Sequence, residues 1–142
     1  MSNIFHLVYI SEAAEDISYT DIRDILDVSR RNNSQEAITG LLIFRDGHFL
    51  QLLEGDEKSV RKVLGKILLD DRNYSLRVLI EAEGDKRLFA NWAMAFYDGD
   101  ISPNSTDDLI SLFDACLDGS HNHRSLIMPM LRQFQASAPE LK

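Results

Sequence analysis

The sequence predicts an α+β domain, a largely antiparallel sheet with two helices packed on one of its faces. Three observations lead there. Residues 38–55 read ITGLLIFRDGHFLQLLEG, two apolar runs around Asp46-Gly47, and an Asp-Gly pair accepts the positive φ values of a type I′ hairpin turn. Two further stretches, one on either side of that hairpin, repeat apolar residues at helical spacing. Short β-rich runs precede and follow them, giving the order β-α-β-β-α-β with a short extra strand. In the ferredoxin-like version of this topology the first and third strands lie side by side at the centre.

The elements follow in order. Residues 4–10 alternate as a strand, with Phe5, Leu7 and Tyr9 on one face and Ile4, His6, Val8 and Ile10 on the other. Residues 12–16 read as a polar loop. Ser18 is placed to cap a helix, with Asp21 at its third position, where a carboxylate favours the positive end of the dipole. Ile22, Ile25, Leu26 and Ser29 form the inward stripe of about three turns. Arg30-Arg31 suits the last turn, and Asn32-Asn33 sits where that helix should stop.

Both hairpin runs are rich in Leu, Ile and Phe, as central strands are. Gln51 is the exception. Alternation puts it on one face with Phe49 and Leu53, where an unpartnered primary amide costs roughly 1–3 kcal/mol. A polar group must meet it there, and side-by-side first and third strands would bring Tyr9 to it.

Asp56 then caps a second helix with the stripe Val60, Val63, Leu64, Ile67 and Leu68. Gly65 lies inside that helix at a cost of roughly 1 kcal/mol against alanine, and either admits a close neighbour or is merely tolerated. Residues 70–75 are a polar break, 76–82 a strand, and 84–91 a charged connector. Residues 92–97 form the short last strand, with Trp92, Met94 and Phe96 on one face. After a linker at 98–104, helices are expected near 106–117 and 126–135, separated by 119–123. The division is therefore 1–98 as the main domain and 99–142 as a helical extension. Its apolar residues, Leu109, Phe113 and Leu117 among them, must cover the bare sheet face or another subunit.

Composition narrows the function. With 142 residues and 44% hydrophobic content the chain suits one globular domain. A net charge of −8 argues against a nucleic-acid partner. No apolar run approaches the ~20 residues that span a bilayer, and the first ten residues lack the basic start of a signal peptide. Cys116, the single cysteine, suits a reducing cytoplasm.

Conventional catalysis has no visible apparatus. His121 and His123 have no Cys or carboxylate at ligand spacing, so no metal site is expected. Walker, GxSxG, GxGxxG and paired-carboxylate motifs are all missing. A small ferredoxin-like phosphatase would need Arg and Asn in the loop after the first strand, and residues 11–16 hold neither. What remains is a group of polar or oxidisable side chains aimed at one interior surface: Tyr9, Asn32, Asn33, Gln51, Trp92 and Met94. Singly, each has an ordinary structural explanation. Together they describe a pocket of amides beside a phenol and an indole, suited to a flat heterocycle with carbonyl and imide edges. Lys66, Arg72 and Arg61 could meet a phosphate.

At these residues the chain resembles the BLUF family, domains that sense blue light with FAD. The resemblance is carried by LVYIS at Tyr9, DIRDIL through Ile25, SRRNN at Asn32-Asn33, ITGLL, FLQLLEG at Gln51, LDDR ending at Arg72, and RLFANWAM at Trp92 and Met94. It implies a flavin ring between the two helices, sandwiched by Ile25 and Ile67. Asn32 and Asn33 would bond its carbonyl and imide edge, while Lys66, Asp70 and Arg72 would lie toward the ribityl and phosphate end. FAD is the implied cofactor, with FMN and riboflavin as alternatives. The resemblance implies proton-coupled electron transfer from Tyr9 on photoexcitation, a hydrogen-bond rearrangement at Gln51, and involvement of Trp92 and Met94. The implied role is a photoreceptor without an output enzyme, homo-oligomeric and signalling to a downstream protein. The alternative is a colourless ferredoxin-like regulatory module that binds a small metabolite. Ala37, Leu50 and Ala93 stand where the family often has Gly, Phe and Ser, and Asn73-Tyr74 where it often has two histidines.

Overall fold

Seven elements follow one another along the chain: β1 (Ile4–Ala13), α1 (Tyr19–Gln35), β2 (Thr39–Arg45), β3 (His48–Gly55), α2 (Glu57–Leu68), β4 (Asn73–Gly84) and β5 (Ala95–Asp98). They come from a computed structural model that describes residues 3–91, 93–98 and Pro129. The anticipated helices at 106–117 and 126–135, the histidines at 121 and 123, Cys116 and Trp92 lie outside the described residues.

The sheet has the order β4-β1-β3-β2-β5. The β1–β3, β1–β4 and β2–β3 pairs are antiparallel, and β5 joins β2 in parallel. The first and third strands are central neighbours, as expected, and Tyr9 stands directly opposite Gln51. The hairpin turns on Asp46 at φ 49° and Gly47 at φ 72°, the two positive values of a type I′ turn.

Both helices cover one sheet face. Ile22 and Leu26 of α1, with Val60 and Val63 of α2, pack on Phe5, Leu7, Tyr9, Leu42, Phe44, Phe49 and Leu53. The other face carries Val8, Ile10, Leu41, Ile43, Leu50, Leu52, Leu79, Ala95 and Tyr97, all buried, with Phe89 of the connector among them.

Several expectations need correction. β1 does not give way to a loop at residue 12; it continues to Ala13, whose N–H donates to the Gly47 carbonyl of the hairpin turn at 2.8 Å. The first helix does not stop at Asn32-Asn33. It runs on to Gln35 because Glu36 N–H still finds the Asn32 carbonyl, and Ala37, at φ 56°, makes the left-handed exit instead. Leu68 is 58% exposed rather than inward, since α2 ends there and the chain turns away. The fourth strand is longer than 76–82. The fifth is shorter than 92–97, with Met94 just ahead of it and still buried on the helix face. No neighbour lies near the Cα of Gly65, so close approach does not explain that glycine among the described residues.

Capping proceeds as read. Ser18 Oγ accepts the Asp21 N–H at 3.1 Å while Asp21 accepts the Ser18 N–H at 3.0 Å, a complete capping box. Asp56 accepts the Lys58 N–H at the start of α2. Asn73 Nδ2 closes the other end of α2 on the Ile67 and Asp70 carbonyls, each at 3.1 Å.

Candidate functional site

Alternation places Tyr9 and Gln51 on the helix face of adjacent strands, where both are 3% exposed. Tyr9 Oη donates to Gln51 Oε1. Gln51 Nε2 in turn donates to Met94 Sδ at 3.4 Å. The buried amide thus has an oxygen partner and a softer sulfur partner, the latter a weak acceptor that holds it loosely. Burial, and secondarily the negative charge of Asp70, push the Tyr9 phenol up, so it keeps its proton throughout the neutral range.

Met94 is held through its backbone by α1. Arg30 Nε donates to the Met94 carbonyl at 3.0 Å, and Asn33 Nδ2 donates to the Ala93 carbonyl at 2.9 Å. Asn33 is 1% exposed, and its Oδ1 has no hydrogen-bond partner among the described residues. A buried acceptor left unpaired costs roughly 1–3 kcal/mol, so it calls for a donor.

Above this polar floor, α1 and α2 leave a cleft. An inner hollow of about 40 Å³ is lined by Tyr9, Leu42, Phe49, Gln51 and Asn73, with Ile25, Ser29, Ile67 and Asp70 in its walls. An outer hollow of about 90 Å³ shares those four wall residues and adds Val28, Asn32, Asn33, Val63, Lys66 and Arg72. The structure therefore gathers Tyr9, Ile25, Gln51, Ile67 and Asp70 at the inner hollow, with Asn32, Asn33, Lys66 and Arg72 around the outer one. Met94 meets the group through Gln51.

The cationic candidates are less available than their spacing suggested. Arg72 forks onto Asp70 at 2.7–3.2 Å and reaches Asp24 at 2.9 Å. That hydrogen bonding raises the Arg72 pKa, and in return holds the Asp70 carboxyl below its usual range. Arg61 is turned to Glu57 and Glu81 and stacks over the Phe5 ring, away from the residues that line the two hollows. Lys66 remains exposed at the outer rim. Sequence reasoning took Ser29 as a plain stripe residue and Asn73 as a mere departure, and it gave Arg30 to the helix terminus. Only the spacing of Ser29 from Ile25 and from Asn32-Asn33 on one helical face could have signalled its place in the cleft.

The sequence model of the BLUF family, described as sensors of blue-light using FAD, matches residues 4–95. The chain belongs to the BLUF family. Its curated relatives include the blue light- and temperature-regulated antirepressor BluF of Escherichia coli, 31% identical over 109 residues. That match covers 76% of this chain and 27% of the relative. Photoactivated adenylate cyclase subunit alpha of Euglena gracilis is 33% identical over 85 residues, covering 60% of this chain and 8% of that one. The BLUF chain thus spans about a quarter or less of the length of the curated relatives it matches.

Among solved structures, BlsA in its photo-activated state superposes with a TM-score of 0.78 at 25% identity, covering 99% of both chains. A bacterial light-regulated adenylyl cyclase is 34% identical with a TM-score of 0.70, matching 87% of this chain and 36% of its own. BLUF domains bind flavin, and the residues here suit one. The imide of a flavin presents the donor that Asn33 Oδ1 lacks, and its flat apolar ring suits a cleft walled by Ile25 and Ile67. Among the described residues no three His, Cys, Asp or Glu side chains gather to hold a metal, and no helix is long and apolar enough to cross a membrane.

Proposed function

We propose that this BLUF chain is a blue-light photoreceptor whose switch is the hydrogen-bond chain from Tyr9 through Gln51 to Met94. The observation that carries the proposal is the buried Gln51 amide, held between a phenol donor and a thioether acceptor on the floor of the cleft. FAD is the cofactor we assign, in preference to FMN or riboflavin, on the family's description. Ile25 and Ile67 hold the ring, Asn32 and Asn33 its polar edge, and Lys66, Asp70 and Arg72 the far end. The two hollows together fall well short of the ~300 Å³ at which ligand clefts begin, so the ring must part Ile25 and Ile67 to enter. When bound, the flavin supplies blue absorption and a transient electron acceptor.

The chain supplies a network with two states. An amide presents an acceptor at one end and donors at the other, so a half-turn of Gln51 exchanges them. Its NH2 then faces Tyr9 and its oxygen faces Met94 Sδ, which has no proton to give. Tyr9 must turn its own hydroxyl elsewhere, and the bonding offered to the ring changes with it. Tyr9, neutral at rest, is the electron and proton source, and we assign Trp92 and Met94 to the same photochemistry. The change is local, and the packed sheet around β3 carries it outward.

We assign the BLUF domain a sensory role and no enzymatic one. To residues 99–142 we assign the passing of the signal to a downstream protein or a second copy, in the cytoplasm. Support for that reading comes from BlsA, 99% of whose chain is covered by this one. The test is Tyr9→Phe beside Gln51→Leu, in protein with its flavin. Both variants should keep the flavin spectrum and lose the light-induced red shift. A normal shift in either contradicts the role assigned to it.

A further inference from the structure

A polar anchor lies on the opposite face of the strand that carries Gln51, and the switch described above makes no use of it. Glu54, three residues on along β3, is 0% exposed. Its carboxylate accepts the Phe89 N–H at 2.7 Å, the Leu88 N–H at 2.8 Å and Thr39 Oγ1 at 2.9 Å, and His6 Nε2 stands 3.2 Å away. Arg87 tightens the same corner, donating to the Glu54 carbonyl and Thr39 Oγ1 at 3.0 Å and to the Ala37 carbonyl at 2.7 Å. Burial opposes the charge, yet the nearby His6 ring and the bonds from Leu88, Phe89 and Thr39 prevail and hold the carboxyl below its usual range.

A fully buried carboxylate is expensive unless such donors surround it. A hydrophobic residue would close this corner at lower cost, so the arrangement secures position more than stability. What it positions is the connector. Leu88 and Phe89 precede Met94 by only a few residues, and Phe89 is itself wholly buried in the second face. On the far side, Asn33 and Arg30 hold Ala93 and Met94, and β5 is paired to β2 from Ala95 onward.

We propose that Glu54 is a positioning residue of the photoswitch, anchoring the connector so that Met94 Sδ is held at Gln51 Nε2 in the resting arrangement. This rests on the reading of Tyr9, Gln51 and Met94 as the switch. Weakening the anchor loosens the seat of Met94 and disfavours the resting state that dark recovery must rebuild. Glu54 lines neither hollow of the cleft and takes no part in the Tyr9–Gln51 bond, so the light-induced shift itself survives.

The experiment compares wild type with Glu54→Gln, each as the full flavin-loaded chain. Gln keeps the shape but turns one acceptor oxygen into a donor toward the N–H groups of Leu88 and Phe89. The readouts are the shift, its dark recovery rate, and amide exchange at Leu88, Phe89 and Ala95. Expected are a retained shift, recovery slowed about threefold to tenfold, as loss of a hydrogen bond predicts, and faster exchange at all three amides. Glu83→Gln, an exposed carboxylate on β4, should recover as wild type does. Should Glu54→Gln fail to fold, Arg87→Ala replaces it, with slowing in the same direction. Recovery at the wild-type rate despite loosened amides overturns the proposal, and so does fast exchange of Leu88 and Phe89 in wild type. A wild type that binds flavin but shows no shift brings down the switch reading itself, and this proposal with it.

Discussion

Ala37 carries a left-handed backbone, φ 56°, at the exit of α1, and its carbonyl accepts Arg87. An L-residue there costs roughly 1–2 kcal/mol, against roughly 0.4–1 kcal/mol of extra chain entropy for glycine, so the strain wins. Ala37→Gly should therefore raise stability by about 0.5–1 kcal/mol in denaturant unfolding, and a loss of stability would show that the strain is not felt. Glu54 makes a prediction of opposite character. Its folded pKa lies below the unfolded value, so its contribution is present above the usual carboxylate range and is lost as pH falls through the folded value. Glu54→Gln should flatten the acid limb of a stability-against-pH curve. Asp70, lowered by Arg72 in the same direction, leaves part of that limb in place. An unchanged limb would mean that Glu54 is not ionised in the folded chain.

At the scale of elements, the hairpin and both helix starts were legible because each depends on local chemistry: Asp46-Gly47 for the turn, Ser18 and Asp56 for the caps. Helix ends were less so. Asn32-Asn33 reads as a stop by composition, but Asn33 is drawn into the helix by its bond to the Ala93 carbonyl, a partner sixty residues away that no local pattern reveals. The Tyr9–Gln51 meeting was legible as a problem, a buried amide without a partner, and the strand order supplied its solution. The reach of Arg72, in the turn before β4, to Asp24 of α1 was not legible either, because that partner lies forty-eight residues away. Gly40 shows how tightly the sheet is closed beside the switch. A Cβ there would lie 2.0 Å from the Leu52 carbonyl oxygen, backbone of the neighbouring strand, and 3.4 Å from Met94 Cε. Gly40→Ala should cost at least about 1–3 kcal/mol in thermal unfolding and disturb Met94. Wild-type stability in that variant would contradict the described β2–β3 packing.

For the whole molecule, the family, the cleft and the Asn33 acceptor all support the proposal of a flavin held between the two helices. A ligand that binds the folded chain alone stabilises it by mass action, about 2.7 kcal/mol when present at a hundred times its dissociation constant. Stripping the flavin should lower the unfolding temperature, and adding FAD back should restore it. A melting point indifferent to FAD would deny the cleft its ligand. The central claim, that light resets the Tyr9–Gln51–Met94 chain, is tested most directly by the absorption spectrum of the purified protein in the dark and immediately after blue light. The account predicts a flavin spectrum that moves slightly to the red and returns in darkness. A flavin spectrum that does not move, or a colourless protein that takes up no FAD, would contradict it.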